Sequence, residues 1–251
     1  MVKALSARFL PSPLRAGWAF FCLTLLLSPP ALAAECVILL HGLARTEASM
    51  NTLAEALEAA DYWVVNYHYP STSQTIEELA QQAIEAGTAQ CDPGSDKVHF
   101  VTHSMGGILV RQYLHDNTID KLGRVVMLGP PNQGSEVVDK LAAVPGFELI
   151  NGPAGLQLGT GQWSVPNNLG PANFEVGVIA GSRSINLILS TLLPDSDDGK
   201  VTVENTRLEG MRDHITLPVT HPFMMRNPTV IEQVIYFLRH GTFRKTGPLP
   251  R

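Results

Sequence analysis

At 251 residues, 45% of them hydrophobic and 16% charged, the chain is long enough for one well-buried domain and short for two. A formal charge of −5 with no basic stripe excludes a nucleic-acid-binding reading. The acidic balance alone names no substrate.

The N-terminal stretch reads differently from the rest. Lys3, Arg8 and Arg15 precede an apolar run from Gly17 to Leu27, followed by Ser28-Pro29-Pro30-Ala31-Leu32-Ala33. Positive flank, apolar core and small residues at Ala31 and Ala33 make the pattern of a secretory signal peptide spanning 1–33, with cleavage after Ala33. A retained membrane anchor is the bland alternative, but the run falls short of the ~20 residues a span needs. Glu35 directly before Cys36 is a poor fit to a bacterial lipidation site. Removing 1–33 takes three positive charges and no acidic residue, so the formal charge moves from −5 to −8. It also removes Cys22 and leaves Cys36 and Cys91, an even count in an oxidising compartment. Both stand upstream of apolar runs, Val37–Leu40 and Val98–Val101, so parallel neighbouring strands would bring the thiols to one sheet end and a disulfide is expected.

From Cys36 onward, short apolar runs alternate with helical patterns, which predicts an α/β domain with a mostly parallel sheet covered on both faces. Val37–Leu40 reads as a central strand ending at His41-Gly42-Leu43. Thr46 to Ala60 reads as a helix on the spacing of Met50, Leu53, Ala54 and Leu57, and Trp63–Tyr67 as a strand. Pro70 marks a loop, and Thr75 with Glu78 suggests a capping box for a helix running to about Ala89. Val98–Val101 is the next strand, and a helix from Met105 to Leu114 follows Ser104. Strand Val125–Leu128 leads into Gly129-Pro130-Pro131-Asn132-Gln133-Gly134-Ser135, then a short helix to Ala142. Residues 143–173 show no regular period, and stand equally as a surface excursion or a small lid over an apolar pocket. A strand at Val176–Ala180, a short helix at Ile185–Leu192, an acidic loop at 195–199, a strand at Ile215–Val219 and a closing helix at Val230–Leu238 complete the order.

A serine hydroxyl is a weak nucleophile at neutral pH, so it needs a base to take its proton and an acid to orient that base. Thr102-His103-Ser104-Met105-Gly106 differs from Gly-x-Ser-x-Gly only in its first residue, and stands between a β-run and a helical run as a nucleophile elbow requires. With the apolar strand ending in His41-Gly42-Leu43, this elbow resembles the bacterial lipase and esterase branch of the α/β-hydrolases. The resemblance implies an α/β-hydrolase fold with a minimal lid, Ser104 as nucleophile, and an oxyanion hole from the N–H groups of Leu43 and Met105. Each such donor contributes roughly 10²–10³ in rate. His41 is read as a brace for its loop rather than as a proton carrier.

In this fold the acid and then the base follow the serine. Of His214, His221 and His240, His221 stands just past a β-rich run, where its ring can hang at the sheet edge from which Ser104 emerges. Asp195, Asp197 and Asp198 crowd one loop. Asp198-Gly199-Lys200-Val201 resembles the Asp-Gly-x-Val around the acid of many bacterial lipases, which favours Asp198, with Asp197 the runner-up and Glu136 remote. His103 is expected to pack in the elbow and His99 within a strand. The 129–135 loop resembles one recurrent in this branch, so it stands either as part of the acyl pocket or as a structural turn.

Together these imply an exported enzyme, periplasmic or secreted, that hydrolyses carboxylic esters through an acyl-enzyme. Its substrate would be a small-molecule or lipid ester, with transient contact to a lipid surface. Neither cofactor nor metal is expected, for the cysteines form no CxxC and no HExxH occurs. Thioester hydrolysis or acyl transfer would use the same triad, and a non-catalytic binding protein on the same fold is the reading from another class.

Overall fold

The computed structural model describes residues 34–185, 193 and 195–245. The expected signal peptide and nearly all of the helix expected at 185–192 lie outside the described residues. Six strands, β1 (Cys36–Leu40), β2 (Trp63–Tyr67), β3 (Val98–His103), β4 (Leu122–Leu128), β5 (Val176–Gly181) and β6 (Asp213–Leu217), form one sheet in the order β2-β1-β3-β4-β5-β6. Every pairing is parallel. The chain runs outward from β1 to β2 and then crosses back to β3, so the order reverses between β1 and β3. That is where an open α/β sheet leaves a crevice at its carboxyl edge.

Both faces of the sheet are covered, which is why its central strands read as unbroken apolar runs. In β1, Cys36, Ile38 and Leu40 join one buried cluster with α2 (Ile76–Thr88) and α3 (Met105–Asp116). Val37 and Leu39 point the other way, into a cluster with α1 (Asn51–Glu58) and the last helix. Helix α2 starts at the expected capping box: Thr75 Oγ1 accepts from the Glu78 N–H, and the Glu78 carboxylate accepts from the Thr75 N–H at 3.0 Å. Cys36 and Cys91 are joined, as expected, with Cα atoms 5.7 Å apart. The bond ties the start of β1 to the segment just after α2.

Strand β4 starts three residues before the expected Val125, and other parts of the chain also differ from the sequence reading. The helix expected from Thr46 begins as a 3-10 turn over Glu47–Met50 before α1. Strand β6 starts and ends two residues earlier than Ile215–Val219, because Asp213 pairs with Gly177 and Pro218 brings no N–H to continue the ladder. The 143–173 stretch, read as irregular, holds α5 (Phe147–Leu156) and α6 (Val165–Asn168), following α4 (Glu136–Leu141). Its helical period was hidden for two reasons. Gly152, at φ 67°, and Pro153 kink α5 midway, and Leu149 and Ile150 are exposed, so no apolar stripe marks a buried face. The chain closes with α7 (Pro228–His240), which Asn227 caps through Oδ1 to the N–H groups of Thr229 and Val230.

Candidate active site

Strand β3 delivers Ser104 into the crevice. At φ 53° and ψ −124° its backbone occupies a region that non-glycine residues seldom adopt. Such strain persists only where the surroundings over-determine it. The Ser104 N–H donates to the Leu128 carbonyl at 2.8 Å, and α3 starts at the next residue. Gly106 lets that helix approach β1, since a Cβ there would stand 2.6 Å from the Leu40 carbonyl oxygen. Thr102, where the familiar motif has glycine, is fully buried in β3 between Leu40 and Met127. The β-branched side chain suits a strand end, and the elbow forms without the first glycine.

His221 follows β6, at the same sheet edge. Its Nδ1 lies 2.7 Å from Asp198 Oδ2, and its N–H donates to the Asp198 carbonyl at 2.9 Å. Both residues are buried, Asp198 completely. The other carboxylate oxygen of Asp198 accepts from the N–H groups of Lys200 and Val201, each at 3.0 Å. A carboxylate that accepts from fixed backbone donors keeps its aim. Asp197 turns elsewhere, with Oδ1 accepting from the Gly199 N–H at 2.6 Å. Glu136 bonds Asn205, and His214 meets Thr206 at 3.0 Å toward the amino end of β6, while His240 is exposed at the end of α7. Gly129, at φ 55°, passes so near the pair that a Cβ would stand 2.9 Å from Asp198 Oδ2 and 3.1 Å from His221 Nδ1.

Two further histidines hold the site in place. His41 Nδ1 donates to the Gly42 carbonyl at 2.9 Å, and Nε2 accepts from the Tyr69 N–H at 3.4 Å, which defines a neutral tautomer. Its ring stacks on Tyr69 at 4.1 Å, the Tyr69 hydroxyl donates to the His41 carbonyl, and burial lowers its pKa. His103 sits 4.7 Å from the His221 ring, and its Nε2 donates to the His221 carbonyl at 3.0 Å. Burial, then the neighbouring His221, push its pKa well below the ordinary histidine value. Both are structural, as expected, and His99 within β3 links Glu35 to the Arg124 N–H.

Ser104, His221 and Asp198 open onto one cavity of about 800 Å³. Leu43 lines it too, and Met105 is the first residue of α3, so its N–H is one of those a helix leaves unpaired. Among the described residues the Leu43 N–H has no acceptor either. The rest of the lining is largely apolar, with Val137, Val138, Leu141, Phe147 and Ile150 from α4 and α5. Pro131 and Ser135 of the 129–135 loop also line it. That loop is held from behind by Arg111, whose guanidinium donates to Asn132, Pro166 and Gly170 and whose pKa burial lowers to about 10. Sequence reasoning missed Arg111, Arg45 and Lys200. Isolated cations on a helix or in a loop carry no signal until the fold shows what they face.

A six-stranded parallel sheet flanked by helices, with β3 turning sharply at Ser104 into α3, is the architecture of the α/β hydrolases. The description "Alpha/beta hydrolase family" matches residues 37–231, and the chain belongs to that family. No curated protein matches it. Among solved structures it is similar to a Bacillus licheniformis lipase, BlEst2 in mature form, at 20% identity and TM-score 0.64, over 84% of this chain and 94% of that one. It is also similar to the phospholipase PlaB from Legionella pneumophila at 16% identity and TM-score 0.64, over 83% of this chain and 60% of that one. A third likeness is to the structure described as LipS and LipT, two metagenome-derived lipolytic enzymes, at 17% identity and TM-score 0.55, over 83% of this chain and 95% of that one. At these identities the likeness is one of fold. Within the family, its fold resembles those of lipases and esterases.

Proposed function

We propose that the protein is an exported serine hydrolase of carboxylic esters, lipase- or esterase-like, with Ser104 as nucleophile, His221 as base and Asp198 as the orienting acid. The observation that carries this reading is the 2.7 Å His221–Asp198 contact beside a strained Ser104, all three facing one apolar cavity. His221 takes the Ser104 proton as Oγ attacks the acyl carbon, and the imidazolium that forms is stabilised by Asp198. The Leu43 and Met105 N–H groups stabilise the oxyanion. His221 then gives its proton to the leaving alcohol, and water repeats the sequence to release the acid.

The apolar wall of α4 and α5 receives the acyl chain. Leu149 and Trp163, 90% and 85% exposed, supply transient contact with a lipid surface. Export rests on the 1–33 pattern, with 34–251 as the catalytic domain, and is supported by the Cys36–Cys91 disulfide. No helix among the described residues is long and apolar enough to cross a membrane.

A fluorophosphonate probe with a chromogenic ester series tests the reading. Folded wild-type protein is expected to be labelled and to turn over esters, and Ser104→Ala to lose both. Absence of labelling in the folded wild type would overturn it.

A further inference from the structure

Arg45 stands two residues past Leu43, at the junction of two cavities. One holds Ser104 and His221; the other, of about 530 Å³, is lined by Thr46, Ser49, His68, Ser71, Thr72 and Arg226. Ala44 and Arg45 line both. Arg45 and Arg226 form no ion pair or hydrogen bond with any described residue, and Lys200, on the catalytic side of Arg45, forms no ion pair. The nearby acids are engaged: Glu47 contacts His68 at 2.5 Å, and Asp198 serves His221 and two backbone N–H groups.

Arg45 and Arg226 share the second cavity with no carboxylate in its lining, so their charges repel at a cost an anion would offset, whereas Lys200 lines the first cavity together with Asp198. Burial first, and then Arg226, lower the pKa of Arg45, which is the electrostatic mark of that proximity. The arrangement stands in a chain of net charge −5, so it is no part of a generally basic surface. Guanidinium groups present forks that match phosphate oxygens, and the hydroxyls of Ser71 and Thr72 add donors of the same use. On the other side of Ser104 the lining turns apolar at Val137, Leu141 and Phe147, where a charged group would lose its hydration. The two cavities therefore differ in polarity.

We propose that the second cavity is the subsite for a phosphate group on the alcohol portion of the substrate, so that the preferred ester is an acylglycerol-phosphate-like molecule with its acyl chain against α4 and α5. This rests on the ester-hydrolase reading above. One water is added across the acyl C–O bond, releasing a carboxylic acid and a phosphorylated alcohol; the phosphate ester bond stays intact.

The test compares butyryl esters of glycerol and of glycerol 3-phosphate, both soluble, so that headgroup charge is read without a lipid surface. In wild type the phosphate-bearing ester is expected to show a kcat/KM at least tenfold higher, mainly through KM. Arg226→Gln and Arg45→Gln should each shrink that ratio about fivefold, and the double variant should bring it near one. Arg226→Lys should restore part of the ratio, and inorganic phosphate should compete with the phosphate-bearing ester in wild type only. Fluorophosphonate labelling of Ser104 in each variant reports an intact site. Labelling with a wild-type ratio near one, or with a ratio the double variant leaves unchanged, overturns the subsite. A preference seen only with long-chain esters in vesicles also overturns it, in favour of surface recognition. Loss of labelling in wild type would instead overturn the parent reading.

Discussion

The two walls of the cavity at Ser104 are built on opposite principles. Ser104 follows β3, whose side chains are buried on both faces, and the Asp198–His221 pair is held by side-chain and backbone bonds. The facing wall, α4 and α5, is short and kinked, and leaves Leu149 and Ile150 in solvent. Chemistry needs geometry held within fractions of an ångström, whereas an acyl chain needs only an apolar surface of adequate length. On the proposed reading, the anchored wall serves the first task and the kinked wall the second.

Breaking the rigid wall should have the largest effect. Asp198→Asn is expected to lower kcat by about 10⁴-fold, since the imidazole loses its orienting charge. Asp197→Asn, whose carboxylate accepts from the Gly199 N–H, should cost less than tenfold. Steady-state kinetics on one chromogenic ester compare the two, and equal losses would move the acid role to the loop as a whole.

Next in size is the covalent tie beneath that wall. Cys36 and Cys91 are 55 residues apart, and a loop of that length corresponds to about 4 kcal/mol of unfolded-state entropy. Cys91→Ser should lower unfolding stability by about that amount in urea titrations, without changing the kcat of the folded fraction.

A third expectation concerns pH. Burial holds His41 and His103 neutral, with folded-state pKa values below the ordinary 6.5. Above that value both states are neutral and nothing is lost. As pH falls through it, the unfolded chain takes up protons that the folded one refuses, so stability drops by up to about 1.4 kcal/mol per pH unit for each histidine. Thermal melts from pH 8 to pH 5 should show the decline, and His103→Gln should flatten it. A melting temperature independent of pH over that range would contradict the neutral assignment.

The smallest effect is expected on the looser wall. Leu149→Ser removes a side chain that is 90% exposed, so stability should move by less than about 0.5 kcal/mol. Turnover of short soluble esters should hold, while action on lipid aggregates falls severalfold.

Much of the rigid wall was legible in the residues themselves. Apolar runs marked all six strands, with shifts of no more than three residues at their ends, and β3 running into the elbow located Ser104. Chain order singled out His221, and the family resemblance implied Leu43 and Met105; Leu43 and His221 line one cavity with Ser104. The looser wall was not legible. Helix α5 buries no continuous stripe, and its Gly152–Pro153 kink, where the backbone meets Thr72, reads locally as a loop. Nor could local pattern show that Arg45 and Arg226, 181 positions apart in the chain, share one cavity without an acid between them.

By itself, then, the sequence determined the layered α/β architecture and a serine at the sheet's carboxyl edge, because apolar periodicity and turn chemistry act over a few neighbouring residues. The tertiary structure decided which aspartate of a crowded loop meets His221, since that depends on which backbone N–H groups each carboxylate caps. It also decided that cations from distant segments face one another, because Coulomb interactions follow distance in space and not in sequence.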